Sequence, residues 1–348
     1  MRSIRRLTFW SLRCIGSVPM LNKWLRGNVV ILMLHEVHRD AEAELMTGTS
    51  VALLEQALEW LRANGWEFVT LDEALARAAF EDRPHSCVVL TFDDGYRDLA
   101  LTALPVLERF DAPFMMYVPT GALTRTMPSW WLGVRELVRV NDRVVFNSMR
   151  RSFCCADYRS KLRTLSCVSR WIHQDYRRVA ALISELGQAR ISLAKLNDVY
   201  FLSEHEFKEL ARHPLASVGG HTMSHPALAT LGDTAARQEV AENRKYLEAL
   251  TGDSIRHFAY PYGTTASFGS RDQQIVRKCG FYSAVTARKD QVSRLAPTPF
   301  SLPRIPLGGR YGTKESFAGT MSGIKLLSQT ARVWHGMANV AHGVATRG

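Results

Sequence analysis

Asp93 and Asp94 stand side by side at the end of the apolar run VVLTFDDG (88–95). Adjacent carboxylates repel, and burying them unpaired is costly. One reading is a surface turn, since Asp-Gly is a common turn dipeptide. The other is a strand whose C-terminal end carries the chemistry, with a cation or proton relieving the repulsion. Further along, GGHTMSHP (219–226) sets His221 and His225 four apart, behind a Gly-Gly turn and ahead of Pro226. A lone histidine is more often an ordinary core or surface residue, but two at this spacing can converge on one ion. With one aspartate they make a two-His, one-carboxylate set, suited to zinc with an open position or to non-heme iron. Iron oxygenases usually keep the first His and the acid close in sequence. Here the acid lies far upstream, which favours zinc or a similar divalent ion in a hydrolase. A third stretch, RHFAYPYG (256–263), ends an aromatic strand in a Pro-Tyr-Gly turn. Its backbone N–H groups can face a bound oxygen, although Pro261 supplies no donor.

These residues need a scaffold that brings distant stretches to one place. Apolar runs read as strands at 29–34, 66–70, 87–92, 113–119, 216–220, 257–261, 281–286 and 302–307. Helix signals lie between them. Ser50 precedes an apolar repeat at Leu54, Leu58 and Leu61 that Gly65 stops, and Thr70/Glu73 and Ser203/Glu206 have capping-box spacing. Residues 234–250 and 271–280 read as further helices. Continuously apolar strands alternating with helices imply a parallel sheet buried on both faces. The expected fold is α/β, a closed barrel ahead of an open doubly wound sheet. From about 120 to 202 the rhythm gives way to Arg-rich, mainly helical text, read as an insertion after the fourth strand. Its Trp130 and Trp131 can stack on a sugar ring, though covering a core is the commoner role.

The chain has 348 residues, 46% hydrophobic and 22% charged, as expected of a globular protein of enzyme size. No apolar run reaches the roughly 18 residues a membrane span needs. A net charge of +11 favours anionic partners, yet no nucleic-acid-binding signature appears, so nucleic acid is not expected. Six cysteines without CxxC spacing fit free thiols in a reducing compartment. Residues 1–27 place Ile4, Leu7, Trp10, Cys14 and Val18 on one helical face, with Arg2, Arg6 and Arg13 opposite. That pattern suits either an anionic membrane surface or packing on the domain's own core. With Arg13 breaking the apolar stretch of a signal peptide, the expected location is cytoplasmic, in peripheral contact with the inner membrane face. Residues 28–312 are expected to form the barrel and 313–348 a tail. The oligomeric state is not legible.

TFDDG, the His-x-x-x-His of HTMSHP and the FAYPYG turn together resemble the polysaccharide deacetylases, the NodB-homology group of carbohydrate esterase family 4. The resemblance spans roughly residues 28–312. It implies a distorted (β/α) barrel and metal-dependent removal of acetyl groups from the amino sugars of a polysaccharide, oligosaccharide or lipid-linked glycan. It further implies that Asp93 is the catalytic base, that Asp94, His221 and His225 hold a divalent metal, usually zinc, and that the Tyr262 N–H faces the oxyanion.

Two departures stand out. The family's third motif commonly carries an arginine that steadies the catalytic aspartate, and here that position is Ala259. Arg256 is three residues early, so Arg304 is the expected substitute. The late Leu-x-His that supplies a general acid is also missing. His335 and His342 lie in the tail, and His35, ending the first strand, is the nominated acid. Two alternatives remain: a related metal amidohydrolase on a small non-sugar amide, and an inactive barrel that binds glycan.

Overall fold

The computed structural model describes residues 29–39, 45, 48–79, 86–288, 299–308 and 313–321. The N-terminal amphipathic helix expected over 1–27, and His335 and His342, lie outside the described residues. The chain begins with β1 (Val29–Leu34), the short pair β2 (Val37–His38) and β3 (Thr49–Ser50), then α1 (Val51–Ala63). Ser50 caps α1 by accepting from the Leu53 N–H at 3.1 Å. After β4 (Glu67–Phe68) and α2 (Leu71–Ala79) comes β5 (Cys87–Asp93), followed by a π-helical turn at Leu99–Ala103, α3 (Leu104–Arg109) and β6 (Phe114–Val118). The insertion then runs through α4 (Thr120–Leu123), α5 (Trp130–Val140), β7 (Arg143–Phe146), β8 (Arg151–Cys154), α6 (Tyr158–Gln174), α7 (Val179–Gln188) and α8 (Leu193–Tyr200). The barrel resumes with α9 (Glu204–Ala211), β9 (Ala216–Gly220), α10 (Asp233–Thr251), β10 (His257–Ala259), α11 (Ser270–Lys278), β11 (Ser283–Val285) and β12 (Ile305–Pro306), and α12 (Lys314–Met321) follows.

The main sheet is wholly parallel, in the order β11-β10-β9-β6-β5-β1-β12, with β4 paired to the start of β5. From β1 to β11 each strand on this path lies beside its predecessor in sequence, and β12 returns to pair with β1, which is the order of a barrel and not of an open doubly wound sheet. A single parallel bridge, Val285 to Leu302, brings the two edges together. Strand patterning sorts the side chains onto two faces. Val29 and Ile31 of β1 join Cys87, Val89, Met115, Ala259 and Val285 in an inner cluster, while Val30, Leu32 and Leu34 face α1. Both faces are buried, so the strands read as unbroken apolar text, and each fully buried aliphatic side chain contributes roughly 1.5–3 kcal/mol.

Three local expectations change. Gly219 and Gly220 form no turn; they end β9, where a Cβ would meet the Tyr117 ring at 2.4 Å and the Phe281 ring at 2.9 Å. The insertion is not wholly helical, because β7 and β8 form an antiparallel hairpin. Val144 and Phe146 turn inward and Val145 is 57% exposed, an alternation too short to stand out among arginines. Residues 314–321, assigned to the tail, form α12 with Phe317 and Met321 buried and Phe317 edge-on to Trp60.

Candidate active site

The alternation that points Cys87 and Val89 into the barrel carries Thr91 and Asp93 to the same side, at the C-terminal end of β5. Asp93 is 3% exposed, which excludes a surface turn. Arg304, entering β12 and 1% exposed, grips it with a parallel pair of bonds, Nη1 to Oδ1 at 2.7 Å and Nη2 to Oδ2 at 2.6 Å. Nη1 also donates to Thr91 Oγ1 and Nε to the Thr286 carbonyl, each at 3.0 Å. The fork is therefore fixed on three sides. Burial alone would raise the Asp93 carboxyl, but the guanidinium overrides it and holds the group below its ordinary value. Arg256 instead pairs with Asp72 at 3.0 Å, away from this end of the barrel. His35, just past β1, brings Nε2 to 3.8 Å from Asp93 Oδ2 with its side chain 42% exposed.

At Asp94 the chain reverses, with φ of 71° there and 72° at Gly95. Thr222, His225 and Tyr262 also have positive φ (68°, 58° and 61°). Such conformations cost on the order of 1–3 kcal/mol each in non-glycine residues and cluster at functional sites. They bring Asp94 Oδ1 within 3.4 Å of His221 Nε2 and 3.3 Å of His225 Nε2. The three ligand-capable atoms all lie within 4.8 Å of one another, and all three residues are buried. His221 Nδ1 lies 2.7 Å from the Ala259 carbonyl, so it carries the proton and leaves the Nε2 lone pair facing Asp94. Asp94 Oδ1 is buried without a hydrogen-bond donor. Burial would raise this carboxyl, and only positive charge facing it, from protonated imidazoles or from a cation in their place, holds it well below the carboxylate range. His225 is pushed down by burial, towards the neutral form that can ligate. An unpartnered carboxylate oxygen facing two imidazole nitrogens fits a divalent cation.

Several supporting residues carry no motif. In α10, Asn243 accepts from the His221 N–H at 2.8 Å and donates to the Val118 carbonyl and Thr120 Oγ1, both at 3.0 Å. One turn earlier, Glu239 accepts from the Met223 and Ser224 N–H groups at 2.8 Å and so holds the histidine loop. Their i, i+4 spacing on a helix following the histidines was the available signal. The insertion supplies the rest. Trp131 stands at 5.1 Å from the His225 ring and donates to Tyr96 Oη at 2.7 Å, while Trp130 donates to Tyr262 Oη at 3.0 Å. Tyr262 packs on Tyr176 at 4.4 Å, and its backbone N–H meets no acceptor among the described residues. All seven nominated residues (His35, Asp93, Asp94, His221, His225, Tyr262 and Arg304) line one cavity of about 670 Å³, walled on one side by Trp131, Ser169 and His173 of the insertion.

His225 lacks the outer hydrogen bond that His221 has, since its Nδ1 is buried without a partner. Its ring is held by packing against Trp131 and Tyr262 instead. Trp131→Leu is therefore expected to weaken zinc binding by about 10–100-fold, the usual effect of losing an orienting neighbour. Competition with a chromophoric chelator measures it; unchanged affinity would show that the ring needs no such support.

A parallel barrel with an Asp-His-His set and a second, arginine-held carboxylate at its strand ends defines a candidate metal-site hydrolase barrel. The family profile described as polysaccharide deacetylase matches residues 81–153 and 161–284, and the chain belongs to that family. It is 29% identical over 104 residues to the poly-β-1,6-N-acetyl-D-glucosamine N-deacetylase of Escherichia coli (strain K12), a match covering 30% of this chain and 15% of that relative. Among solved structures, the Streptococcus pyogenes deacetylase PplD, in complex with acetate, superposes with a TM-score of 0.58 at 19% identity, covering 85% of this chain and 99% of that one. IcaB from Ammonifex degensii superposes at 0.55 and 20% identity, covering 85% and 97%. At these identities the structures show the barrel fold.

Proposed function

We propose that the protein removes N-acetyl groups from amino-sugar residues of a polysaccharide, oligosaccharide or lipid-linked glycan. The observation that carries this reading is the buried Asp94 oxygen, unpartnered between two imidazoles, beside an ionised Asp93. Asp94, His221 and His225 would hold a divalent cation, zinc by donor type, which supplies Lewis acidity towards water and the amide carbonyl. Asp93 accepts the proton of the attacking water. Arg304 keeps it ionised and aimed, and each Asp93 oxygen retains a lone pair beyond its bond to the guanidinium. The Tyr262 N–H meets the carbonyl oxygen as charge builds on it. His35, at the open side of Asp93, donates a proton to the departing nitrogen. The aromatic wall of Trp131 and Tyr262 gives the sugar ring a face to stack on and keeps bulk water out. Acetate release from a panel of N-acetylated oligosaccharides, with and without chelator and against simple acetamides, tests the proposal. Chelator-sensitive release from the glycans supports it, and release from the simple amides alone would reassign the substrate.

His35→Gln should lower kcat by about 10²–10⁴-fold, as for a lost acid–base group, with metal content and melting temperature unchanged. A loss under tenfold would reduce His35 to a packing role.

A further inference from the structure

The positive charge of this protein is unevenly placed. Residues 120–202 hold fourteen Arg and Lys against six Asp and Glu, an excess of eight out of the net +11. Most of those carboxylates are engaged locally. Asp157 caps α6 through the Ser160 N–H, Glu136 binds Arg139, Asp175 binds Arg177, Asp198 binds Arg125, and Glu185 accepts from the Asn147 and Ser148 N–H groups.

Helix α6 carries the consequence. Its core face is Ser160, Thr164, Val168 and Ile172. At 100° per residue, Ser169 and His173 fall on the flank that lines the catalytic cavity. Arg159, Arg163 and Arg170 fall on the adjoining flank, all exposed. Arg151 of the hairpin, also exposed, extends the row by reaching Cys167 Sγ at 3.4 Å. None of these four guanidinium groups has an ion-pair partner among the described residues. The three on α6 span about 16 Å of helix from Arg159 to Arg170, and Arg170 lies one turn before the cavity-lining His173.

We propose that this row is a track for the anionic groups of the glycan beyond the reacting sugar, so that the preferred substrate is an acidic glycan carrying carboxylate or phosphate. The inference rests on the deacetylase reading above. Charge complementarity carries it: exposed guanidinium groups without ion-pair partners among the described residues, in a row on the flank beside the cavity, attract a polyanion and hold it in line with the site. The row is exposed, so its pull is screened by salt over about 8–10 Å.

The test uses the full chain and two fluorescent end-labelled oligosaccharides of equal length, one alternating N-acetylglucosamine with glucuronate, the other a neutral chitooligosaccharide. Anisotropy titrations at low and raised salt should show tighter, salt-sensitive binding of the acidic one. Combining Arg159→Gln, Arg163→Gln and Arg170→Gln should weaken that binding about tenfold, as three exposed charge contacts would, leaving the neutral oligosaccharide little affected. Arg190→Gln with Lys195→Gln, elsewhere on the insertion, should leave both unchanged. Equal wild-type affinity for the two oligosaccharides, or no loss in the triple variant, would overturn the proposal. So would a triple variant that loses phosphatidylglycerol vesicles but keeps the acidic oligosaccharide, since the row would then face a membrane. Acetate release is measured separately, so its absence from every N-acetylated glycan would count against the deacetylase reading while the titrations still decide the track.

Discussion

Asp93→Asn should lower acetate release by about 10²–10⁴-fold, because an amide cannot take the proton that the carboxylate accepts. The substitution is nearly isosteric and leaves Thr91, Asp94 and the histidine loop untouched, so the protein should fold and keep its metal. The fork of Arg304 then faces an amide that can accept at one oxygen only. Removing one of two adjacent buried carboxylates relieves repulsion in the metal-free protein, but it also leaves the buried Arg304 guanidinium without its counter-charge, so a lower melting temperature is expected beside the retained metal. Undiminished turnover would overturn the mechanism.

Arg304→Gln should have the largest effect on stability. It leaves the Asp93 carboxylate buried without its counter-charge, and breaking a buried pair in this way typically costs about 3–5 kcal/mol. The sign of the pH dependence follows from the direction of the shift. With Arg304 present, the folded Asp93 titrates below its unfolded value. Its contribution is therefore complete above the unfolded carboxyl pKa and is lost as pH falls through the lower folded value. Without Arg304, burial is opposed only by the weaker pull of His35 and His221, and the folded value is expected to rise above the unfolded one. The variant is then least disadvantaged in acid and loses stability as pH rises through that raised value. Melting curves at pH 4 and pH 7 should show a wild-type advantage that widens at pH 7, and the acid limb of kcat/KM should move upward. Arg304→Lys should melt closer to the wild type yet turn over slowly, because a point charge does not reproduce the planar fork. A uniform stability loss across pH would mean that Arg304 acts by packing alone.

Much of the barrel was legible because its strands are short and apolar on both faces, and turn or cap residues punctuate them. Asp93, Asp94, His221 and His225 stood out as residues that a buried strand end has no structural reason to carry. Other parts were hidden for physical reasons. Asn243 and Glu239 look like ordinary polar positions of an amphipathic helix until the turn after β9 is placed against them. Trp131 reads equally as core or ligand platform, since only the packing of the insertion decides which side faces the cavity. Gly219 and Gly220 suggested a turn, because nothing local reveals that Tyr117 and Phe281 need their space. Arg304 could be nominated only by the absence of an arginine at Ala259. Its bond to Asp93 spans 211 positions of sequence.

The central claim is that two adjacent aspartates divide the work, Asp94 holding the cation with His221 and His225 while Asp93 remains free as the base. Zinc stoichiometry in the purified Asp93→Asn and Asp94→Asn proteins, stripped and reloaded beside the wild type, tests it most directly. The account predicts one zinc per chain in the wild type and in Asp93→Asn, and well under one in Asp94→Asn, where a neutral amide replaces the carboxylate ligand. Equal loss of zinc from both variants would contradict it, making the aspartates joint ligands and leaving the base to be found elsewhere.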